Sequence, residues 1–123
     1  MKKLILGTFL FLGIISALYA ESNADKRFKE YVELTRKNPN NLPGSTIVAD
    51  NTYRIMYMTL PLNCYASQVS PEQHKKAREL LVEGMRKQTE DVKIIKELKI
   101  SLVYTLITKD KKVFCITFSY NDL

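Results

Sequence analysis

Two runs near the C-terminal end of the chain alternate between apolar and polar side chains with a period of two. The apolar positions of the first run are Leu98, Ile100, Leu102, Tyr104 and Leu106, and those of the second are Phe114, Ile116, Phe118 and Tyr120. This period is typical of half-buried β-strands. In an antiparallel hairpin the two apolar faces coincide only if even-numbered residues pair with even-numbered ones, because a one-residue slip turns one set towards water. We therefore expect a three-residue loop, at residues 109–111 or 110–112.

Apolar spacing and capping residues predict helices in two other parts of the chain. Residues 25–37 carry Phe28, Tyr31, Val32 and Thr35 at helical spacing, and the helix should stop at Asn38-Pro39. Residues 70–73, Ser-Pro-Glu-Gln, combine a capping box with a proline at the first helical position, so a helix should begin at Ser70. This helix either ends near Lys87 or continues after a kink, with a second short helix from residues 89–91.

The middle of the chain predicts a second hairpin. A short strand at residues 45–49 and a longer one at residues 52–62 are joined by a tight turn at Asp50-Asn51. Both faces of the longer run are largely apolar, which favours an interior strand covered on both sides. The order helix, hairpin, helix, hairpin (αββαββ) predicts an α+β fold, with one antiparallel sheet and its helices mainly on one face.

The start of the chain has the pattern of an export signal. Met1-Lys2-Lys3 is basic, and the run from Leu4 to Ala20 is free of charge and ends in a small residue. We predict a cleavable signal peptide at residues 1–20, followed by a single domain at residues 21–123 that is periplasmic or secreted and meets the membrane only during export. An uncleaved anchor is the alternative, since the apolar run is at the short limit for spanning a bilayer.

The chain has two cysteines, Cys64 and Cys115. In an oxidising compartment an even count favours a disulfide, and closing this long loop would stabilise the fold by roughly 4 kcal/mol. The pairing rule places Cys115 on the outer face of the last strand, and Cys64 lies just past residues 52–62. The predicted bridge joins these two places, with two free thiols as the alternative.

The residues that carry chemistry are too few for a catalytic or metal site. His74 is the one histidine, and it lies among polar residues on a predicted helix surface. Zinc needs three or four ligands, and oxidation of Cys64 and Cys115 would remove the nucleophile of a Cys–His pair. We therefore predict no catalytic residue, no metal and no cofactor. The net charge of +6 is scattered over the chain, which favours weak attraction to anionic surfaces and argues against nucleic-acid binding.

The strand at residues 52–62 offers the best candidate partner surface. If one of its faces is left uncovered, either Tyr53, Ile55 and Tyr57 or Met56 and Met58 form an adaptable apolar patch of the kind that partners bind. Packing of both faces in the core is the alternative.

The layout also resembles a largely uncharacterised group of small exported bacterial α+β proteins. The resemblance rests on Leu42-Pro43 before a strand with a Tyr-x-Tyr-like pattern at residues 53–62, on Val103-Tyr104, and on a final hairpin strand at residues 114–120. It implies the same element order and assigns no catalytic residue. We expect an exported, non-catalytic domain that binds another protein, as an inhibitor, an immunity-type factor or a secretion accessory. The alternative is a binder of an anionic envelope ligand such as lipopolysaccharide or phospholipid.

Overall fold

The computed structural model describes residues 22–123, and the predicted signal peptide at residues 1–20 lies outside them. This part of the chain forms three α-helices and one four-stranded sheet. The elements in chain order are α1 (Asn23–Arg36), β1 (Thr46–Asp50), β2 (Ile55–Pro61), α2 (Pro71–Arg86), α3 (Thr89–Leu98), β3 (Ser101–Ile107) and β4 (Val113–Ser119). Within residues 22–123, no helix combines the length and the apolar character needed to cross a membrane.

Helix α1 follows the predicted pattern closely. The Ser22 side chain caps it by accepting a hydrogen bond from the Asp25 amide at 3.1 Å. Its buried side chains are Phe28, Tyr31 and Val32, which lie on one face at helical spacing. The prediction of an amphipathic helix is confirmed.

Helix α2 begins where the capping box predicts. The Ser70 hydroxyl accepts from the Gln73 amide, and the Gln73 side chain accepts from the Ser70 amide. The helix ends at Arg86, and α3 begins at Thr89 after a short break. The second short helix, predicted as an alternative, is therefore present. The predicted order αββαββ is wrong by this one helix, and the observed order is αββααββ.

The sheet has the order β1-β2-β3-β4 and is mixed. The β1–β2 and β3–β4 pairs are antiparallel hairpins, whereas β2 and β3 are parallel. The prediction of an all-antiparallel sheet is wrong at this central pair. The reason lies in the connection, because α2 and α3 together return the chain to the end of the sheet from which β2 started, as a parallel pair requires.

The C-terminal hairpin confirms the even-to-even pairing rule. Leu102 faces Phe118, and Leu106 faces Phe114. Thr108 and Lys112 close the turn through a 2.9 Å backbone hydrogen bond, so residues 109–111 form the loop. Lys111 supplies the left-handed residue, with φ 63°, that a three-residue hairpin loop uses.

The first hairpin differs from its prediction in the turn. The loop comprises residues 51–54, where a two-residue turn at Asp50-Asn51 was expected, and β2 starts only at Ile55. Asp50 Oδ1 accepts hydrogen bonds from the amides of Thr52 and Tyr53 at 2.9 and 3.1 Å, which stabilises the longer loop. Tyr53 consequently belongs to the loop and not to the strand.

The hydrophobic core lies between the helices and one face of the sheet. The side chains with almost no exposure are Phe28, Met56, Ile95, Leu98, Ile100 and Leu102. On β3, every even-numbered residue from Leu102 to Thr108 is buried, and every odd-numbered strand residue is partly exposed. The helices therefore cover one face of the sheet, and residues 22–123 leave the opposite face open.

Candidate binding surface

The side chains on the open side of the sheet form a continuous surface, which we call the outer face. They alternate along the strands with the buried side chains. The strand register aligns them in four rows: Val48, Tyr57, Val103 and Thr117; Asp50, Ile55, Ser101 and Ser119; Thr46, Thr59, Thr105 and Cys115; and Pro61, Ile107 and Val113.

Several large apolar side chains of this region are strongly exposed. Val48 is 59% exposed, Tyr57 40% and Val113 56%, and all three belong to the outer face. Tyr53, in the loop before β2, is 73% exposed. Single exposed apolar residues are ordinary, but their repetition across one sheet face is typical of an interaction surface.

The two alternative partner surfaces of the β2 region have different fates. Met56 is 1% exposed and Met58 8%, so this pair belongs to the core. Tyr57 and the half-buried Ile55 lie on the outer face, with Tyr53 in the adjoining loop. The expectation that β2 is covered on both faces is therefore wrong, and the tyrosine side is the exposed one.

The outer face is almost without charge. Among the strand residues that the structure describes, Asp50 is the only charged one, and its carboxylate is hydrogen bonded to the adjoining loop. The lysines and arginines of residues 22–123 therefore lie on helices and loops. Depletion of charge together with exposed tyrosine is typical of the central part of protein–protein interfaces.

The outer edge of β4 is protected by side chains from α2. His74 Nε2 lies 3.3 Å from the Cys115 carbonyl oxygen, and Arg78 Nε donates to the Thr117 carbonyl at 3.1 Å. Histidine and arginine one helical turn apart thus match two free carbonyls two residues apart on the strand. Unpaired strand edges attract other strands, and these contacts occupy two of the acceptors that such a strand would use.

The opposite edge of the sheet has a similar guard. Arg36 of α1 donates through Nε to the Ile47 carbonyl of β1 at 3.0 Å. Strand β1 is also short, with five residues, which limits edge pairing further. Docking by addition of a strand is therefore disfavoured at both edges of the sheet.

The predicted Cys64–Cys115 disulfide is not found, because both cysteines are free thiols in the structure. The pairing rule did place Cys115 correctly, as an exposed residue of the outer face. Cys64, however, lines a pocket on the helix side together with Phe114, the neighbour of Cys115 on β4. Since adjacent strand residues point to opposite faces, the sheet separates the two thiols.

The structure brings Cys64 and His74 to the wall of the same pocket without a hydrogen bond between them. The His74 ring instead packs against Phe114, with 5.5 Å between the ring centroids. Among residues 22–123, no group of three or more histidine, cysteine, aspartate or glutamate side chains is arranged to hold a metal ion.

Two buried tyrosines on the helix side of the sheet have raised pKa values. The Tyr31 hydroxyl donates to Asp91 Oδ1 at 2.8 Å, and burial together with this bond raises the pKa of Tyr31. Burial also raises the pKa of Tyr104 to about 12. Both hydroxyls therefore stay protonated at physiological pH.

The sequence predicted only the β2 part of the outer face. It did not predict that side chains of α1 and α2 protect the two edges of the sheet. The residues of the last strand on the face opposite its apolar row carry no charge. They are Val113, Cys115, Thr117 and Ser119, and this feature could have pointed to an exposed surface without charge. In the comparisons with known proteins, no family model, curated protein or solved structure matches the chain.

Proposed function

We propose that this protein is an exported, non-catalytic domain that binds another protein through the outer face of its sheet. The export signal at residues 1–20 supports a periplasmic or secreted location. The observation that carries the binding proposal is the nearly uncharged outer face, where Val48, Tyr57 and Val113 are exposed on a sheet whose other face is covered by helices.

The chemistry of this surface defines the kind of partner. Apolar and hydroxyl side chains with one carboxylate are complementary to an apolar, weakly charged protein surface. An anionic membrane would need cations, and the outer face strands carry none. The partner docks face-on, because His74, Arg78 and Arg36 occupy strand carbonyls at the two edges.

The exposed tyrosines are the expected anchors of the interface. Tyrosine offers a large contact area with little conformational entropy to lose, and it is enriched among residues that dominate binding energy. Tyr57 lies in the row between Val48 and Val103, near the middle of the sheet. We expect it to contribute more than Tyr53, which lies in the flanking loop.

The test is affinity capture from envelope and secreted fractions with three immobilised baits: the wild type, Tyr57→Glu and Leu80→Glu. Leu80 is 58% exposed on α2, so its variant introduces the same charge away from the outer face. We expect a saturable protein partner that binds the wild type and Leu80→Glu and is lost with Tyr57→Glu. The proposal fails if no partner saturates, or if the partner binds all three baits equally.

A further inference from the structure

A pocket of about 300 Å³ lies on the helix side of the sheet, where the parallel strands β2 and β3 both end. The first turns of α2 and the connection between β2 and α2 complete its wall. Most of the lining is apolar, and the lining residues are Leu62, Cys64, Gln68, Val69, Gln73, His74, Ala77, Leu106 and Phe114. The carboxyl ends of parallel strands are a common place for ligand sites.

Gln68, Gln73 and His74, the polar side chains of the lining, each make a hydrogen bond to the backbone. The Oε1 atoms of Gln68 and Gln73 accept hydrogen bonds from the amides of Tyr65 and Ser70, each at 2.8 Å. His74 Nε2 bonds to a β4 carbonyl at 3.3 Å. These contacts leave the Leu, Val, Ala and Phe side chains to determine what the pocket accepts, which favours an apolar ligand.

Backbone hydrogen bonds fix the wall around Cys64. The Leu62 amide donates to the Ile107 carbonyl at 2.7 Å, and the Lys109 amide donates to the Cys64 carbonyl at 2.9 Å. The segment after β2 is thereby tied to the end of β3 and to the following loop. The backbone of this wall is therefore fixed before a ligand binds, which lowers the ordering cost of binding there.

The segments that form the wall are rich in cations. The Lys109 ammonium lies 5.7 Å from the ring centroid of Tyr65, and Tyr65 is the residue that follows Cys64 in the chain. The nearby Asp110 carboxylate is engaged by the Thr108 hydroxyl and the Ala66 amide. Across residues 62–77 and 106–114, the cations are Lys75, Lys76, Lys109, Lys111 and Lys112, and the acids are Glu72 and Asp110. This excess of positive charge is complementary to an anionic group beside the apolar pocket.

We propose that this pocket binds the apolar chain of an anionic amphiphile, with the anionic group held beside Lys109. An enclosed apolar cavity of about 150 Å³ accepts benzene, so this half-open pocket of about 300 Å³ has room for a chain of roughly ten carbons that keeps one side in contact with water. The shared chemistry is an acyl chain that ends in a carboxylate or a phosphate. Its source is either a free fatty acid or a phospholipid. This site is independent of the outer face, since the sheet lies between them.

The two free thiols provide a built-in assay. Cys64 lines the pocket and Cys115 lies on the opposite face, so N-ethylmaleimide alkylation followed by peptide mass spectrometry measures both in one sample. With decanoate at roughly ten times its Kd, we expect alkylation of Cys64 to slow about tenfold while Cys115 is unchanged. Parallel samples with monomeric dioctanoyl phosphatidylglycerol distinguish the two ligand sources.

Protection of Cys64 by either amphiphile supports the proposal and identifies the source. The proposal is overturned if neither protects Cys64, or if both thiols are slowed equally. Ala77→Leu narrows the pocket and should abolish the protection, whereas Leu80→Ala, on the exposed side of the same helix, should leave it intact.

A second variant tests the anionic group without changing the pocket volume. Lys109→Gln should weaken protection by decanoate and leave protection by decanol, which has no charge, unchanged. This comparison remains valid if Ala77→Leu does not fold. Equal loss for decanoate and decanol in Lys109→Gln would contradict the proposed place of the anionic group.

Discussion

The two faces of the sheet are built from the same four strands and differ in what covers them. Leu102 is 1% exposed on the helix side, while its neighbour Val103 is only partly buried on the outer face. Three helices pack against the helix side. On this side the Tyr104 ring also stacks on the Phe118 ring, with 5.7 Å between the ring centroids. The outer face has apolar residues of similar kind but nothing of residues 22–123 packed over it. The helix side therefore holds the fold together, whereas the outer face stays exposed and is the surface proposed to bind a partner.

Polar contacts reinforce the same contrast. Arg54 donates to the Leu98 carbonyl at 3.2 Å and to Asp25 at 3.1 Å, which links the first hairpin to α1 and α3. Arg27 of α1 and Glu97 of α3 form a bidentate ion pair, with hydrogen bonds of 2.6 and 2.9 Å. These contacts fix the helices to each other and to the end of the sheet, and all of them lie on the covered side.

The largest expected effect comes from truncating adjacent residues of β3. Leu102→Ala should lower the free energy of unfolding by about 2–5 kcal/mol, because it leaves a cavity in the core. Val103→Ala should cost less than about 1 kcal/mol, because its side chain is still partly in water. Urea unfolding monitored by circular dichroism measures both. Equal losses would contradict the assignment of the outer face as an open surface.

Features of the fold that depend on neighbouring residues could be predicted from the sequence. The capping box of Ser70 and Gln73 located the start of α2, and the parity of the apolar positions fixed the register of β3 and β4. Both signals act over a few residues or through one tight loop. A short stretch of sequence is therefore enough to predict both features.

Features that depend on distant contacts could not be predicted in this way. Alternation along β2 and β3 is the same for parallel and antiparallel neighbours, so the parallel central pair was missed. The apolar residues on both sides of β2 suggested cover on both faces, but exposed Tyr57 shows that one side is open. The disulfide was predicted from the number of cysteines and the compartment. Neither of these observations depends on the sheet, which separates Cys64 from Cys115.

A smaller effect is expected at the protected edge of β4. Arg78→Ala removes the donor to the Thr117 carbonyl and the 3.5 Å ion pair with Asp122. Because Arg78 is about half exposed, we expect a loss of only about 0.5–1 kcal/mol in unfolding free energy. The freed edge should also increase self-association, measured by sedimentation velocity.

The matched control for the edge is Lys75→Ala, an exposed position of the same helix that loses the same charge. It should leave both stability and the sedimentation profile unchanged. If the two variants behave alike, the contact between Arg78 and β4 does not protect the edge. Strand addition would then become an alternative to the proposed face-on docking.

The smallest expected effect is a dependence of the covered side on pH, through Asp25. The Arg54 guanidinium, together with Ser22, holds the pKa of Asp25 below its usual value of 3.8. A carboxyl group with a lowered pKa stabilises the fold above its unfolded pKa and loses this contribution as the pH falls through the folded value. The advantage of the wild type over Asp25→Asn should therefore be complete at neutral pH and disappear in acid well below 3.8.

The variant keeps the bond from Arg54 to the Leu98 carbonyl, so the difference isolates the charge of Asp25. Urea unfolding over this pH range measures it, and a difference that is constant with pH would mean that the Asp25–Arg54 contact adds no electrostatic support to the covered face.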